Sequence, residues 1–110
     1  MLFCITANYT AKAMNAMREK PNTNRQDAVE QLVKAAGGKL VAFYGTMADG
    51  PGALTIIDVD PVAAAAITGT LASADGFQNI KMKRLYSQEE VTASRKKRVQ
   101  LHGSYKAPGQ

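Results

Sequence analysis

Apolar and polar positions change period several times along the 110 residues, and each change marks an element boundary. Residues 2–9, Leu-Phe-Cys-Ile-Thr-Ala-Asn-Tyr, form a short apolar and aromatic run that predicts a first strand. Phe3, Ile5, Ala7 and Tyr9 fall on one face, and Leu2, Cys4, Thr6 and Asn8 on the other. Both rows are substantially apolar, which predicts cover on both sides. Helix formers occupy 11–19, and Pro21 then stops or kinks the helix near Lys20, because the residue before a proline avoids the α region. Asn22, Thr23 and Asn24 offer caps for a restart, and Asn24 has Asp27 three residues on. Ala28, Val29, Leu32, Val33 and Ala36 make one stripe at helical spacing, ended by Gly37-Gly38.

Residues 39–46 and 53–59 predict two strands joined by a turn over Met47-Ala-Asp-Gly-Pro-Gly52, hence a hairpin. Asp60-Pro61 starts a second helix, with the carboxylate as cap and proline at the first helical position. Four alanines, Ile67 and Leu71 follow, and Gly76 is expected to close it. Residues 77–86 predict a fourth strand, with Ile80, Met82 and Tyr86 on one face and Arg84 between them. Ser87-Gln-Glu-Glu90 fits a capping box that opens a last, polar helix. The order β-α-β-β-α-β plus an appendage predicts an α+β, ferredoxin-like fold: one four-stranded antiparallel sheet with its helices on one face. Residues 1–86 make the domain, and 87–110 a basic C-terminal helix and tail. Helices on one side leave the other apolar sheet face bare, so a second subunit is expected to pack its own sheet there, giving a homodimer or a larger assembly of dimers.

Size and composition support this picture. A chain of 110 residues buries roughly 60–70% of its unfolded surface, enough for one core without staples. The lone Cys4 makes no internal disulfide and points to a reducing compartment, so the cytoplasm is expected. The first residues predict no secretory signal, and no apolar run is long enough to span a membrane. The net charge is +5, unevenly placed. Residues 1–86 carry nine Lys/Arg against seven Asp/Glu, and residues 87–110 carry five against two. A nucleic-acid binder carries its basic stripe on the fold itself, so nucleic acid is not the expected partner. Arg95, Lys96, Lys97 and Arg98 read first as a solvated helix face and second as a contact for nucleic acid or an acidic partner, with no aromatic platform beside them for RNA-type stacking.

The residues also resemble a known family. Tyr9-Thr10, Lys20-Pro21 with Arg25 and Ala28, Gly37-Gly38-Lys39-Leu40, Tyr44, Thr46, Asp58–Pro61, Ala63–Ala66 and Leu71-Ala72 together look like the GYD-domain family of small bacterial proteins, over about residues 2–86. The resemblance implies a ferredoxin-like fold assembled as a dimeric α/β barrel, and it implies no particular activity. The chain departs from the motif that gives the family its name: it has Asp49-Gly50-Pro51-Gly52 where relatives carry Gly-Tyr-Asp, so no role of that Tyr-Asp pair carries over.

No catalytic constellation stands out. His102 and Cys4 are the only residues of their kinds and make no metal-ligand spacing, and Asp58 with Asp60 is explained by the cap. The glycine clusters match neither a P-loop nor a dinucleotide fingerprint, so no metal and no cofactor is expected. Cys4 in a strand reads as a small hydrophobe. The candidate ligand-binding residues are Thr6, Tyr9, Lys12, Arg25, Tyr44, Thr46, Asp58 and Arg84. Strand polar groups could line a cavity between facing sheets, and Lys12 and Arg25 sit where a strand end meets a helix start and an anion could be received. Against this, strand tyrosines commonly only pack, and Arg84 could pair with Asp58 across the sheet. The expected function is therefore a small-molecule-binding or accessory module. One alternative is a cofactor-independent oxygenase or isomerase using Tyr9, Tyr44, Arg84 or Asp58 as acid, base or orienting group, which rests on fold analogy alone. The other is partner binding through the basic tail.

Overall fold

The structure is a computed structural model describing residues 1–110. Strand β1 (Leu2–Tyr9) leads to helices α1 (Ala11–Glu19) and α2 (Arg25–Ala35), then to strands β2 (Lys39–Thr46) and β3 (Gly52–Asp58). Helix α3 (Pro61–Ser73), strand β4 (Phe77–Leu85) and helix α4 (Gln88–Leu101) complete the chain. The four strands form one antiparallel sheet in the order β2-β3-β1-β4, the ferredoxin-like arrangement expected from the sequence.

Local chemistry accounts for the helix boundaries. Asn24 caps α2 by accepting from the Asp27 amide at 3.1 Å, and Asp60 caps α3 by accepting from the Ala63 amide at 2.9 Å with Pro61 in the first turn. The Ser87–Glu90 capping box opens α4. Thr10, which the hydrophobic pattern does not mark, caps α1 by accepting from the Ala13 amide and also donates to the Asp75 carbonyl at 3.2 Å, tying the start of α1 to the end of α3. The end of α3 requires a correction. Asp75, not Gly76, takes the left-handed conformation after the cap, with φ of 58°. An aspartate tolerates that region better than most side chains.

One face of the sheet carries the core. Phe3, Ile5, Ile57 and Val59 meet Val29 and Val33 of α2 and Ala64 and Ile67 of α3. Val33, Ile57 and Ala64 have no exposed surface. Each fully buried Val or Ile contributes about 1.5–3 kcal/mol by leaving water. The alanines let α3 lie close to the strands, as Ala64 shows. A smaller cluster of Ala7, Ala53 and Phe77 continues the core towards the C-terminal end of β1.

Two bulges that the alternating pattern did not announce set which side chains face where. Between Leu40 and Ala42, β2 has one residue more than its partner, so Leu40 and Phe43 both face the helices while Val41 is left half exposed. Near Asn79, β4 has an extra residue opposite Thr6–Asn8, with Asn79 at φ of 56°. The helices leave the opposite sheet face open. The molecule spans 58 × 33 × 22 Å with a radius of gyration of 17.8 Å, against about 13 Å for a compact chain of this length. Helix α4 buries none of its residues and accounts for the elongation. No helix is long and apolar enough to cross a membrane.

Candidate functional site

The eight candidate residues are distributed over both faces of the sheet. Thr6 and Thr46 come together on the open face, in a cleft of about 460 Å³ at the end where β4 bulges away from β1. Asn8, Asp49, Asn79 and Lys81 complete its polar wall. Asn8 is already engaged: its amide donates to the carbonyls of Ala48 at 3.1 Å and Gly50 at 3.2 Å, pinning the β2–β3 turn over β1. Tyr44 lies on the same face on the edge strand β2 and is 65% exposed. Asp58 lies at the far end, where it accepts from the Met1 amino group at 2.9 Å.

The remaining candidates lie on the helix side or at its margin. Arg84 faces away from Asp58 and does not pair with it; its carboxylate partner is Glu90 at the start of α4, and its guanidinium lies 4.3 Å from the Tyr86 ring centre. The Arg84 Nε is buried without a hydrogen-bond partner. The backbone amide of Ser87, donating at 3.1 Å, and then Arg84 hold the Glu90 carboxyl below its ordinary range. Lys12 bonds the Asp75 carboxylate at 3.3 Å in an exposed pair. The four groups that an acid–base enzyme would have used (Tyr9, Tyr44, Asp58 and Arg84) do not converge within one chain.

Tyr9 and Arg25 do converge. The chain breaks at Pro21 between α1 and α2, and the gap below that break is a pocket of about 330 Å³. Tyr9 from the end of β1 and Phe77 from the start of β4 form its floor, their rings stacked with centres 5.0 Å apart and planes at 26°. Ala13 and Ala16 of α1 leave room, and Met17 and Leu71 complete the apolar wall. Arg25 lies 5.8 Å from the Phe77 ring centre, and Lys20 stands at the break. Burial raises the Tyr9 hydroxyl above its ordinary pKa, while the neighbouring Arg25 charge pulls the other way. Tyr9 therefore keeps its proton at neutral pH and can donate it in a hydrogen bond.

Phe77, Met17 and Leu71 were not anticipated as site residues. Apolar positions in β4, α1 and α3 signal core, and only the tertiary fold turns them towards a common space. Arg25 carried a better signal: Ala28 and Val29 occupy the positions three and four residues on, so its own helix offers it no carboxylate there.

The sequence profile of the GYD domain matches residues 3–94, most of the chain and the first half of α4. The chain belongs to the GYD-domain family. None of the curated proteins compared with it matches. In this GYD chain the stretch Asp49–Gly52 closes the β2–β3 turn and opens β3 at Gly52, with Asp49 at φ of 58° and Gly50 at 100°. Gly52 lies so close to β1 that a Cβ there would approach the Ala7 carbonyl oxygen to 2.2 Å. A side chain at this position would force the two central strands apart.

Proposed function

We propose that this GYD-domain protein acts as a homodimer of the dimeric α/β-barrel type, in which the open sheet faces of two copies pack together. The dimer would serve as a small-molecule-binding or accessory module, with the ligand held between the sheets near Thr6 and Thr46. Residues 1–86 would form the barrel unit, and residues 87–110 an appendage available for further contacts. One observation carries the reading: on the open face Cys4, Ala42, Leu54 and Ile56 lie side by side in the three neighbouring strands, flanked by Leu2 and Tyr44, with no element of the same chain over them. Contiguous apolar surface of this kind marks an interaction site. Lys81 and Lys83 on β4 flank the stripe and give the polar rim of such an interface.

Sedimentation equilibrium tests the proposal. The expected mass is twice 11.8 kDa, and Ile56→Lys, which buries a charge in the proposed interface, is expected to return it to the single-chain value. A wild-type protein that sediments as one chain at micromolar concentration refutes it.

The exposed arm favours a second reading. Arg95, Lys96, Lys97 and Arg98 lie exposed on a helix that buries none of its residues, and they could dock an acidic partner. Removing residues 95–110 would then abolish salt-sensitive binding to a polyglutamate peptide without changing the sedimenting mass. Unchanged binding refutes this reading.

A further inference from the structure

We propose that the pocket at the Pro21 break binds a small organic monocarboxylate, with its apolar body on Phe77, Leu71 and Met17 and its carboxylate on the Arg25 guanidinium and the Tyr9 hydroxyl. This pocket lies on the helix-covered side of the sheet and does not depend on two open faces meeting.

Charge is the first observation. The chain has four ion pairs: Met1 amine with Asp58, Lys12 with Asp75, Lys34 with Glu30, and Arg84 with Glu90. Arg25 is in none of them, although it is half-buried. Its neighbours are an aromatic face and a phenol. No carboxylate lines the pocket; of the two adjacent in sequence to lining residues, Asp75 is 69% exposed and engaged with Lys12, and Glu19 is exposed at the end of α1. A guanidinium in an apolar recess is a strong, directional site for a carboxylate. Tyr9 keeps its proton at neutral pH and adds a neutral donor from the pocket floor.

Shape is the second. The volume of about 330 Å³ lies at the lower end of small-ligand sites, which run from roughly 300 to 1,000 Å³. Seven of its eleven lining residues are hydrophobic, and the polar groups gather around Arg25, Lys20 and Thr23. An apolar body with one charged head matches that division. The cleft at Thr6 and Thr46 differs: only three of its nine lining residues are hydrophobic, and its wall carries charges of both signs, Lys81 and Asp49.

The test uses the full chain carrying 13C-labelled methyl groups at its five methionines. Met17 lines the pocket and the other four do not. Octanoate is the probe, with octylamine and octanol as matched controls. Octanoate is expected to shift the Met17 methyl resonance saturably, octanol to do so at least about tenfold more weakly, and octylamine not at all. Arg25→Gln should weaken octanoate binding about tenfold or more, Arg25→Lys should retain part of it, and Tyr9→Phe should weaken it about threefold. A silent Met17, an equal response to octylamine, or an Arg25→Gln variant that binds octanoate as the wild type does would overturn the proposal. If Arg25→Gln fails to fold, the contrast between octanoate and octylamine on the wild type decides, with Tyr9→Phe in support. Sedimentation of the same samples reports the dimer separately, so failure of either proposal is seen on its own.

Discussion

The two faces of the single sheet are built from alternate residues of the same strands, yet they differ sharply in finish. On the helix side, Phe3, Ile5 and Ile57 are at most 5% exposed, and polar Thr55 is enclosed with them. On the open side, their immediate neighbours Cys4, Leu54 and Ile56 are only half-buried, and Leu2 and Tyr44 are exposed. Strand composition alone would have placed both rows inside. A strand side chain is buried only if another layer lies over it, and one chain of this fold supplies one layer. The comparison therefore separates residues that stabilise the subunit from residues available to join subunits.

Ile57→Ala probes the finished face. It leaves a cavity between β3 and the helices and is expected to cost about 2–5 kcal/mol, read as a lowered midpoint in urea. Ile56→Lys, one residue away on the open face, is expected to halve the sedimenting mass. Any loss of subunit stability should stay well below that of Ile57→Ala. If the adjacent substitutions have equal effects on the urea midpoint at concentrations where both are single chains, the distinction between the faces fails.

Caps give a smaller contrast. Asp60→Ala removes the cap of α3, which packs on the core, and should lower global stability by about 0.5–2 kcal/mol. Ser87→Ala removes the cap of α4, which buries none of its residues, and should fray that helix with little change in the global midpoint. Amide hydrogen exchange distinguishes the two outcomes. The smallest effect concerns pH. Glu90 is held below its ordinary pKa by the Ser87 amide and Arg84, so its stabilising contribution is full above the unfolded value of about 4.3. It is lost as pH falls through the lowered folded value. Helix α4 should therefore fray in acid, and Glu90→Gln should fray it already at neutral pH while flattening that dependence, with helix-specific NMR shifts as the readout.

Much of the architecture was legible because its causes are local. Pro21, Asn24, Asp60-Pro61 and Ser87–Glu90 each act within one helical turn, and the strand boundaries follow from short apolar runs. The misjudged end of α3 is instructive: Gly76 is the usual residue for a left-handed position, but the helix ran one residue shorter and Asp75 took it. The candidate site was less legible. Tyr9 and Arg25 stood among the candidates, but their pairing required Phe77, more than fifty residues further along the chain, to stack beneath them. Thr6 and Thr46 share a cleft only because β4 bulges at Asn79, and nothing in a local alternation of residue types reports an extra residue in one strand.

Amino-acid order was enough to specify the succession of strands and helices, the caps that open α2, α3 and α4, the antiparallel ferredoxin-like arrangement and a row of apolar side chains on each side of the sheet. Those features arise from interactions among residues a few positions apart, together with the restricted handedness of chain crossovers. The folded chain alone decided which apolar row is covered, where the bulges turn side chains, that α4 stands clear of the body, and that an unpaired arginine meets a tyrosine and a phenylalanine in one recess. Those outcomes depend on contacts between distant segments, which composition and period do not encode.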